Sequence, residues 1–314
     1  MNLRFVTIKV LRSAVTLWMV VTFIFIVLRL SGDPIDMLLP DDADAEMINY
    51  YMREWGLDRP LHEQYWRYFV AVLSGDFGVS FVDDRTAIDV VVERIPATLQ
   101  LGIAAFAFSI CLGLPLGITA ALNRNSAVDR GVMTLAVLGY AIPNFFLGIL
   151  LILTFSLWLQ WLPSSGSETF WHMVMPVITL GTAGMGALAR FTRSAMLEVL
   201  NAPYMRTSRA KGLPRNKRIV RHALPNAAIP VVTILGFKIG GLISGSLITE
   251  SIFAWPGVGR LLVTSVAQRD LAVVQALVML VAFTMVLANL LIDLAYGWID
   301  PRIRASSSKQ ENEA

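Results

Sequence analysis

Charge is scarce in this sequence. Of its 314 residues, only 16% are Asp, Glu, Lys or Arg, against the roughly 25% of an ordinary soluble domain. Cysteine is nearly absent. Cys111 stands alone inside an apolar run, which excludes a disulfide framework and any CxxC metal site and leaves it as a small packing residue. Histidine is sparse too, and His62, His172 and His222 fall in different connecting segments without metal-ligand spacing. No G-x-x-x-x-G-K-[ST] occurs, so the chain has no phosphate-cradling loop of its own. It has no G-x-S-x-G and no H-E-x-x-H either, so no nucleophile, metal or acid–base constellation marks it as an enzyme. The sequence predicts no catalytic residues, no metal, no cofactor and no nucleic-acid partner.

Apolar residues are abundant instead, at 55% of the chain, and they come in long blocks rather than at amphipathic spacing. A hydrocarbon core about 30 Å thick is crossed by ~20 mostly apolar residues in helical form. Six stretches meet that length: about Val10–Leu30, Ala97–Leu122, Val132–Leu159, Val174–Ala189, Ala227–Ile248 and Val273–Tyr296. Each is expected to be a helix, because an open strand would leave backbone groups unpaired in lipid. The first is longer than a signal-peptide core and lacks an A-x-A site, so it reads as an uncleaved anchor. Arg4 and Lys9 precede it, Arg12 sits near enough to its start to snorkel, and Arg124 and Arg130 separate the second and third stretches. From Arg190 to Arg221 there are nine basic residues and one acid, whereas Ser31 to Ile95 holds fourteen acids and five basic residues. Basic loops stay inside, so both termini are expected in the cytoplasm; Arg29 and Arg94 run against the trend and are outvoted. The fold class is an all-α membrane protein with six transmembrane helices.

The domain organisation follows. Residues 1–30 hold the N-terminus and first span, 31–95 an external segment, and 96–300 five further helices with a cytoplasmic loop at 190–225. Residues 301–314 form a polar tail. In the external segment, Leu61 to Leu73 places Tyr65, Trp66, Phe69, Val70 and Leu73 on one helical face. That face would rest on the membrane surface or on the outer ends of the spans. Asp36, Asp41, Asp42 and Asp44 lack the glycine and terminal glutamate of a calcium loop and read as a solvated acid run.

The loop after the fourth stretch reads RFTRSAMLEVLNAPYMRTSRAKGLPRNKRIVRHALPNA. Helix formers fill Tyr204 to Lys211, and Gly212 supplies a position where left-handed backbone is free of steric penalty. Pro214 suits the first position of a second helix, and Pro225 the entry to the fifth span, because neither place needs the missing N–H. The expectation is a helix, a glycine hinge and a second helix, basic throughout. Composition alone leaves two readings open: an ordinary topology signal that also attracts anionic lipid, or a docking element.

The spacing resembles the cytoplasmic EAA loop of ATP-binding-cassette (ABC) importer permeases, E-A-A-x3-G-x9-I-x-L-P. Here Arg206-Thr207-Ser208, Gly212 and His222-Ala223-Leu224-Pro225 keep its intervals. The opening triplet and the Ile differ in the manner of the peptide and nickel branch, whose usual Y-x-R-T-A-R-A-K-G is close to YMRTSRAKG at Tyr204–Gly212. Further matches follow in order: Gly32-Asp33-Pro34, Gly56 to Leu61, Gly75-Asp76-Phe77-Gly78, Pro96 to Leu99, Glu250 to Gly259, and Asp300 to Arg304. The chain resembles the B-type permease subunit of dipeptide, oligopeptide or nickel importers, a binding-protein-dependent component of the bacterial inner membrane with the type I importer fold. The resemblance implies a multi-pass, non-catalytic subunit forming half of a peptide pathway, glutathione included; nickel is the alternative cargo. It also implies a second permease subunit in a heterodimer, two ABC ATPase subunits that hydrolyse ATP, and an extracytoplasmic substrate-binding protein. Tyr204, Arg206, Arg209, Ala210, Lys211, Gly212 and Leu213 would then be the ATPase-contacting set of a coupling helix.

Three polar residues inside the apolar stretches are candidates for the substrate pathway. Lys238 falls mid-span on the same helical face as Gly241 and Gly245, where an ionisable group faces protein or water; it would form an internal ion pair or meet a peptide carboxylate. Asn144 and Asn289 are weaker candidates, since polar residues also join helices. Gly113 and Gly117, Gly236 and Gly240, and Gly241 and Gly245 form small-xxx-small pairs for close helix approach. An ion-gradient-driven secondary transporter is the reading from another class. It predicts intramembrane carboxylates or inverted repeats; Asp293 is the only acid well inside a span, and no repeat is evident.

Overall fold

Lipid offers the backbone no hydrogen-bonding partner, and a chain this apolar satisfies its N–H and C=O groups within helices. The computed structural model describes residues 3–30, 58–239 and 246–299, together with Asp44, Glu46, Met52 and Arg53. Among them there is one isolated antiparallel bridge, Val79 to Thr86, and no strand. In chain order the helices are α1 (Leu3–Leu30), α2 (Leu61–Ser74), α3 (Ala87–Val92), α4 (Ile95–Leu122), α5 (Ala127–Ala141) and α6 (Asn144–Leu151). There follow α7 (Phe170–Asn201), α8 (Pro203–Ala210), α9 (Arg215–Arg218), α10 (Leu224–Ile239), α11 (Leu247–Ile252), α12 (Val258–Ala267) and α13 (Leu271–Ile299). A π-helical turn, Ile152–Trp158, extends α6, and another, Ile219–Ala223, joins α9 to α10. Five helical stretches are long and apolar enough to cross a membrane, and the bent pair α5–α6 makes a sixth.

The third crossing is not the straight helix expected from Val132 to Leu159. The chain bends by 101° between α5 and α6. Ile142 is extended (φ −74°, ψ 122°) and Pro143 caps α6 at φ −58°, ψ 136°. The cause is local: a proline ring crowds helical backbone at the residue before it, and hydropathy is blind to that bend. The prolines of the cytoplasmic loop also sit differently. Pro214 is the cap before α9 rather than its first residue. Pro225 does not open the fifth span but lies inside a helical run that continues through the π turn into α10. A proline inside a helix removes one ladder bond and crowds the carbonyl a turn earlier; the wider turn at Ile219–Ala223 gives that ring room.

The chain divides into two compact units, Ile95–Arg260 and the combination of Met1–Arg94 with Leu261–Ala314. In the first, α7 is held closely by α4 and α5. Cβ atoms placed on Gly113 and Gly117 would collide with the α7 backbone at Met185 and Ala189, and one on Gly186 with Ala136 of α5. Those glycines set the approach. Gly236 has nothing within 4 Å of such a position, and Gly240, Gly241 and Gly245 lie outside the described residues. Cys111 is exposed on α4 rather than packed.

In the second unit, Lys9 of α1 pairs with Asp293 of α13 at 2.7 Å, which gives that acid a partner within the chain. The hairpin between α2 and α3 is pinned where the buried Ser80 hydroxyl bonds the buried Asp270 carboxylate just before α13. The amphipathic helix expected at Leu61–Leu73 is α2. Its Tyr65 and Phe69 are half-buried, while Trp66, Val70 and Leu73 remain exposed.

Candidate functional site

The loop that follows α7 is built from its residues upward as a rigid, basic projection. Pro203 occupies the first position of α8, after an extended Ala202. At the other end, the Gly212 N–H donates to the Arg209 carbonyl at 3.0 Å and the Leu213 N–H to the Ser208 carbonyl at 3.3 Å. These two bonds close the helix on a left-handed residue, and Gly212 has φ +75°. The glycine read from sequence as a hinge is thus a fixed helix stop.

One side of α8 is the anchor. Met205 and Ser208, three residues apart, are buried, and Met205 joins a cluster with Leu188, Ala195 and Met196 of α7, Ala121 of α4, and Ala223, Ala227 and Val231. The other side is bare. Tyr204, Arg206, Arg209, Ala210, Lys211 and Gly212 are all exposed, and Leu213 is half-buried. Among the described residues no acid pairs with Arg206, Arg209 or Lys211. The structure therefore brings the predicted contact set onto one surface, with its cations available to an outside partner.

Three further side-chain bonds tie this part of the fold together. The Arg215 guanidinium donates to the Leu122 carbonyl at the end of α4, 3.2 Å away. Arg193 of α7 grips Asp129 with both ends of its guanidinium, at 2.6 and 2.7 Å. Asp129 also accepts from the Asn125 N–H, and Ser126 caps α5 by accepting from the Asp129 N–H.

The substrate-pathway candidates lie on three different helices. Asn144 is half-buried at the start of α6, just past the bend, and Asn289 is exposed on α13 in the other unit. Lys238 belongs to α10, with its side chain outside the described residues. No cluster of three metal-capable side chains exists among the described residues; Asp36, Asp41 and Asp42 lie outside them. The histidines are not all in connecting segments: His172 sits in the first turn of α7, accepts from the Thr169 N–H at 3.1 Å and pairs with Glu168 at 2.8 Å. Sequence reading singled out neither Asp129 with Arg193 nor Glu250, a completely buried acid of α11. The available signal for Glu250 was an acid among apolar and glycine residues in ESIFAWPGVG.

Comparison with known proteins finds a family and relatives for this chain. Residues 113–305 match the family described as binding-protein-dependent transport system inner membrane component, and residues 2–102 match the corresponding N-terminal family. The glutathione transport system permease protein GsiC of Salmonella paratyphi A is 43% identical over 303 residues, covering 96% of this chain and 99% of its own. GsiC of Escherichia coli strain K12 is 42% identical with the same coverage. Among solved structures, a chain of the MetNI methionine ABC transporter in an inward-facing conformation aligns with a TM-score of 0.51 and 19% identity. That match covers 65% of this chain and 94% of the other, and at that identity the likeness is one of fold.

Proposed function

We propose a function from one premise: this chain belongs to the binding-protein-dependent transport system inner membrane component family. It is a multi-pass permease subunit of the inner membrane with the type I importer fold. It forms half of the translocation pathway of an ABC importer for peptides, glutathione among them. Its partners are a second, different permease subunit, two ATPase subunits and an extracytoplasmic binding protein. The chain carries no phosphate-cradling sequence, so ATP hydrolysis falls to the ATPase partners. The cargo is supported by the likeness to glutathione permeases along nearly the whole chain, since glutathione is a tripeptide. Residues 31–95 form an external segment, 96–300 the transport domain with its cytoplasmic loop at 190–225, and 301–314 a cytoplasmic tail.

The observation that carries the coupling role is the bare basic face of α8, closed by Gly212 and seated on Met205. Tyr204, Arg206, Arg209, Ala210, Lys211, Gly212 and Leu213 contact an ATPase subunit, whose movement reaches the spans through the anchored side. Gly212→Pro tests this. Proline fixes φ near −65° where the chain holds +75°. The expected result is normal membrane levels with transport abolished; normal uptake at normal levels would overturn the assignment. The cargo is tested by uptake in a deletion strain complemented with this chain, comparing labelled glutathione, dipeptides, longer peptides and nickel. Nickel uptake alone overturns the peptide reading, and uptake that survives ATP depletion but not loss of the ion gradient overturns the importer reading.

A further inference from the structure

The helices α5 and α7 run antiparallel, one residue for one. Asp129 meets Arg193, and Cβ atoms placed on Gly186 and Gly139 would meet Ala136 and Thr182. In that register Tyr140 stands level with Thr182, and Arg190 with Val132. Their backbones are therefore eight residues, about 12 Å, apart along the helix axes. Yet the Arg190 guanidinium lies 5.5 Å from the centre of the Tyr140 ring. Even a ring pointing straight down the axis covers only part of that gap, so the arginine reaches along α7 toward Thr182, away from the helix end at Asn201. A cation near a span end ordinarily turns outward to water. This one turns into the apolar stretch that starts at Val132, where an ionisable group faces protein or a wet cavity.

A cavity is present beside it. About 360 Å³ lies between α7 and α10, lined by Ala187, Arg190, Phe191, Ser194 and Ile234. Both helices belong to the unit Ile95–Arg260. The α7 residues recur at intervals of three and four and form one face, with Arg190 and Ser194 exposed one turn apart. Among the described residues the Tyr140 ring is the only partner of Arg190, and the Ser194 hydroxyl has none. The ring covers one face of the planar guanidinium and leaves its N–H edge open.

A fork of N–H donors beside a hydroxyl matches a carboxylate, which takes two parallel bonds from the fork and a third from the serine. The other walls, Ala187, Phe191 and Ile234, are apolar and weaken the competition from water. We infer that Arg190 and Ser194 form an anion-binding step on the translocation pathway, holding a carboxylate of the peptide as it passes α7 and α10. Every linear peptide ends in this group, and glutathione carries it at both ends, so the site serves the whole class and disfavours cargo without an anion. The identity of the ligand rests on the peptide-importer reading; the open guanidinium edge does not.

The test uses the assembled transporter in phosphatidylcholine proteoliposomes, with Ala187→Cys in a Cys111→Ser background. Modification rates are compared for an anionic and a cationic methanethiosulfonate of similar size, alone and with excess dialanine, dialanine amide or S-methylglutathione. The anionic reagent is expected to react several-fold faster, and dialanine and S-methylglutathione to slow it several-fold while the amide does not. Arg190→Gln should abolish both the preference and the protection. Arg190→Lys, which keeps the charge but not the fork, should retain the preference and lose part of the protection. Unchanged reactivity toward a neutral thiol reagent shows that the cavity persists in each variant.

A preference that survives Arg190→Gln overturns the inference, as does equal protection by dialanine and its amide. No modification by any reagent overturns it in favour of a cavity filled by the second permease subunit. Loss of the preference when phosphatidylglycerol is added overturns it in favour of a lipid phosphate. Protection through Arg190 in a transporter that takes up no peptide in cells supports the anion site and counts against the proposed cargo alone.

Discussion

Asp129 and Glu250 are both buried acids of the unit Ile95–Arg260, the first in the opening turn of α5 and the second in α11. Asp129 is matched by a full positive charge, and its partner Arg193 remains a quarter exposed. Among the described residues Glu250 pairs with no cation. Its Oε1 accepts from the hydroxyls of Thr98 (2.8 Å) and Ser246 (2.6 Å), and its Oε2 from the N–H groups of Gly259 (2.7 Å) and Arg260 (3.1 Å). Thr98 in turn accepts from the Val258 N–H, and Cβ atoms on Gly257 or Gly259 would strike the carboxylate. One acid is neutralised by a side chain that can turn to water; the other is solvated by the fold itself, including the first turn of α12. The difference teaches where substitution is tolerated. A partner with an exit can relax, whereas backbone donors cannot.

The comparison breaks most sharply at Glu250. Glu250→Ala takes one acceptor from two backbone N–H groups and two hydroxyls in a dry site. At about 1–3 kcal/mol for each orphaned donor, folded protein is expected to fall below detection in size-exclusion profiles of detergent extracts; a wild-type profile would refute the account. Asp129→Ala removes the same charge with a smaller effect, because Arg193 can reach solvent. A loss of about 1–2 kcal/mol is expected, below the ~3–5 of a fully enclosed pair, read as a lower melting temperature of purified protein. The double variant with Arg193→Ala should then cost little more than Asp129→Ala alone, and simple additivity would deny the pairing. The smallest effect belongs to Ser126→Ala, which removes only the cap of α5 at a cost of about 1 kcal/mol. A loss as large as that of Asp129→Ala would mean that the cap, rather than the ion pair, holds this corner.

What sequence made legible was whatever local pattern determines. The apolar blocks located the spans but not their ends, since α7 runs on to Asn201, twelve residues past the expected Ala189, and Gly212 announced its left-handed stop because few other residues suit φ +75°. The exposed basic face of α8 was likewise written in YMRTSRAKG. The bend at Pro143 was missed because apolar residues continue on both sides of it, and Pro225 was misplaced because a wider turn absorbs it. Asp129 meets Arg193 across 64 positions and Thr98 meets Glu250 across 152. No spacing rule reaches that far, since such partners are chosen by how helices pack. Lys9 and Asp293 make the same point from opposite ends of the chain.

The π turn at Ile219–Ala223 has a consequence for phase. Such a turn holds an extra residue compared with an α turn, while each α-helical residue advances the chain by about 100°. Rewinding the segment as regular α-helix with every residue kept would swing the whole of α10 round its axis by about that angle. Ala227 and Val231, now buried against the anchor of α8, would leave it together. The width of the turn between Arg218 and Leu224 thus acts as a phase setting between the basic projection and the span that follows it.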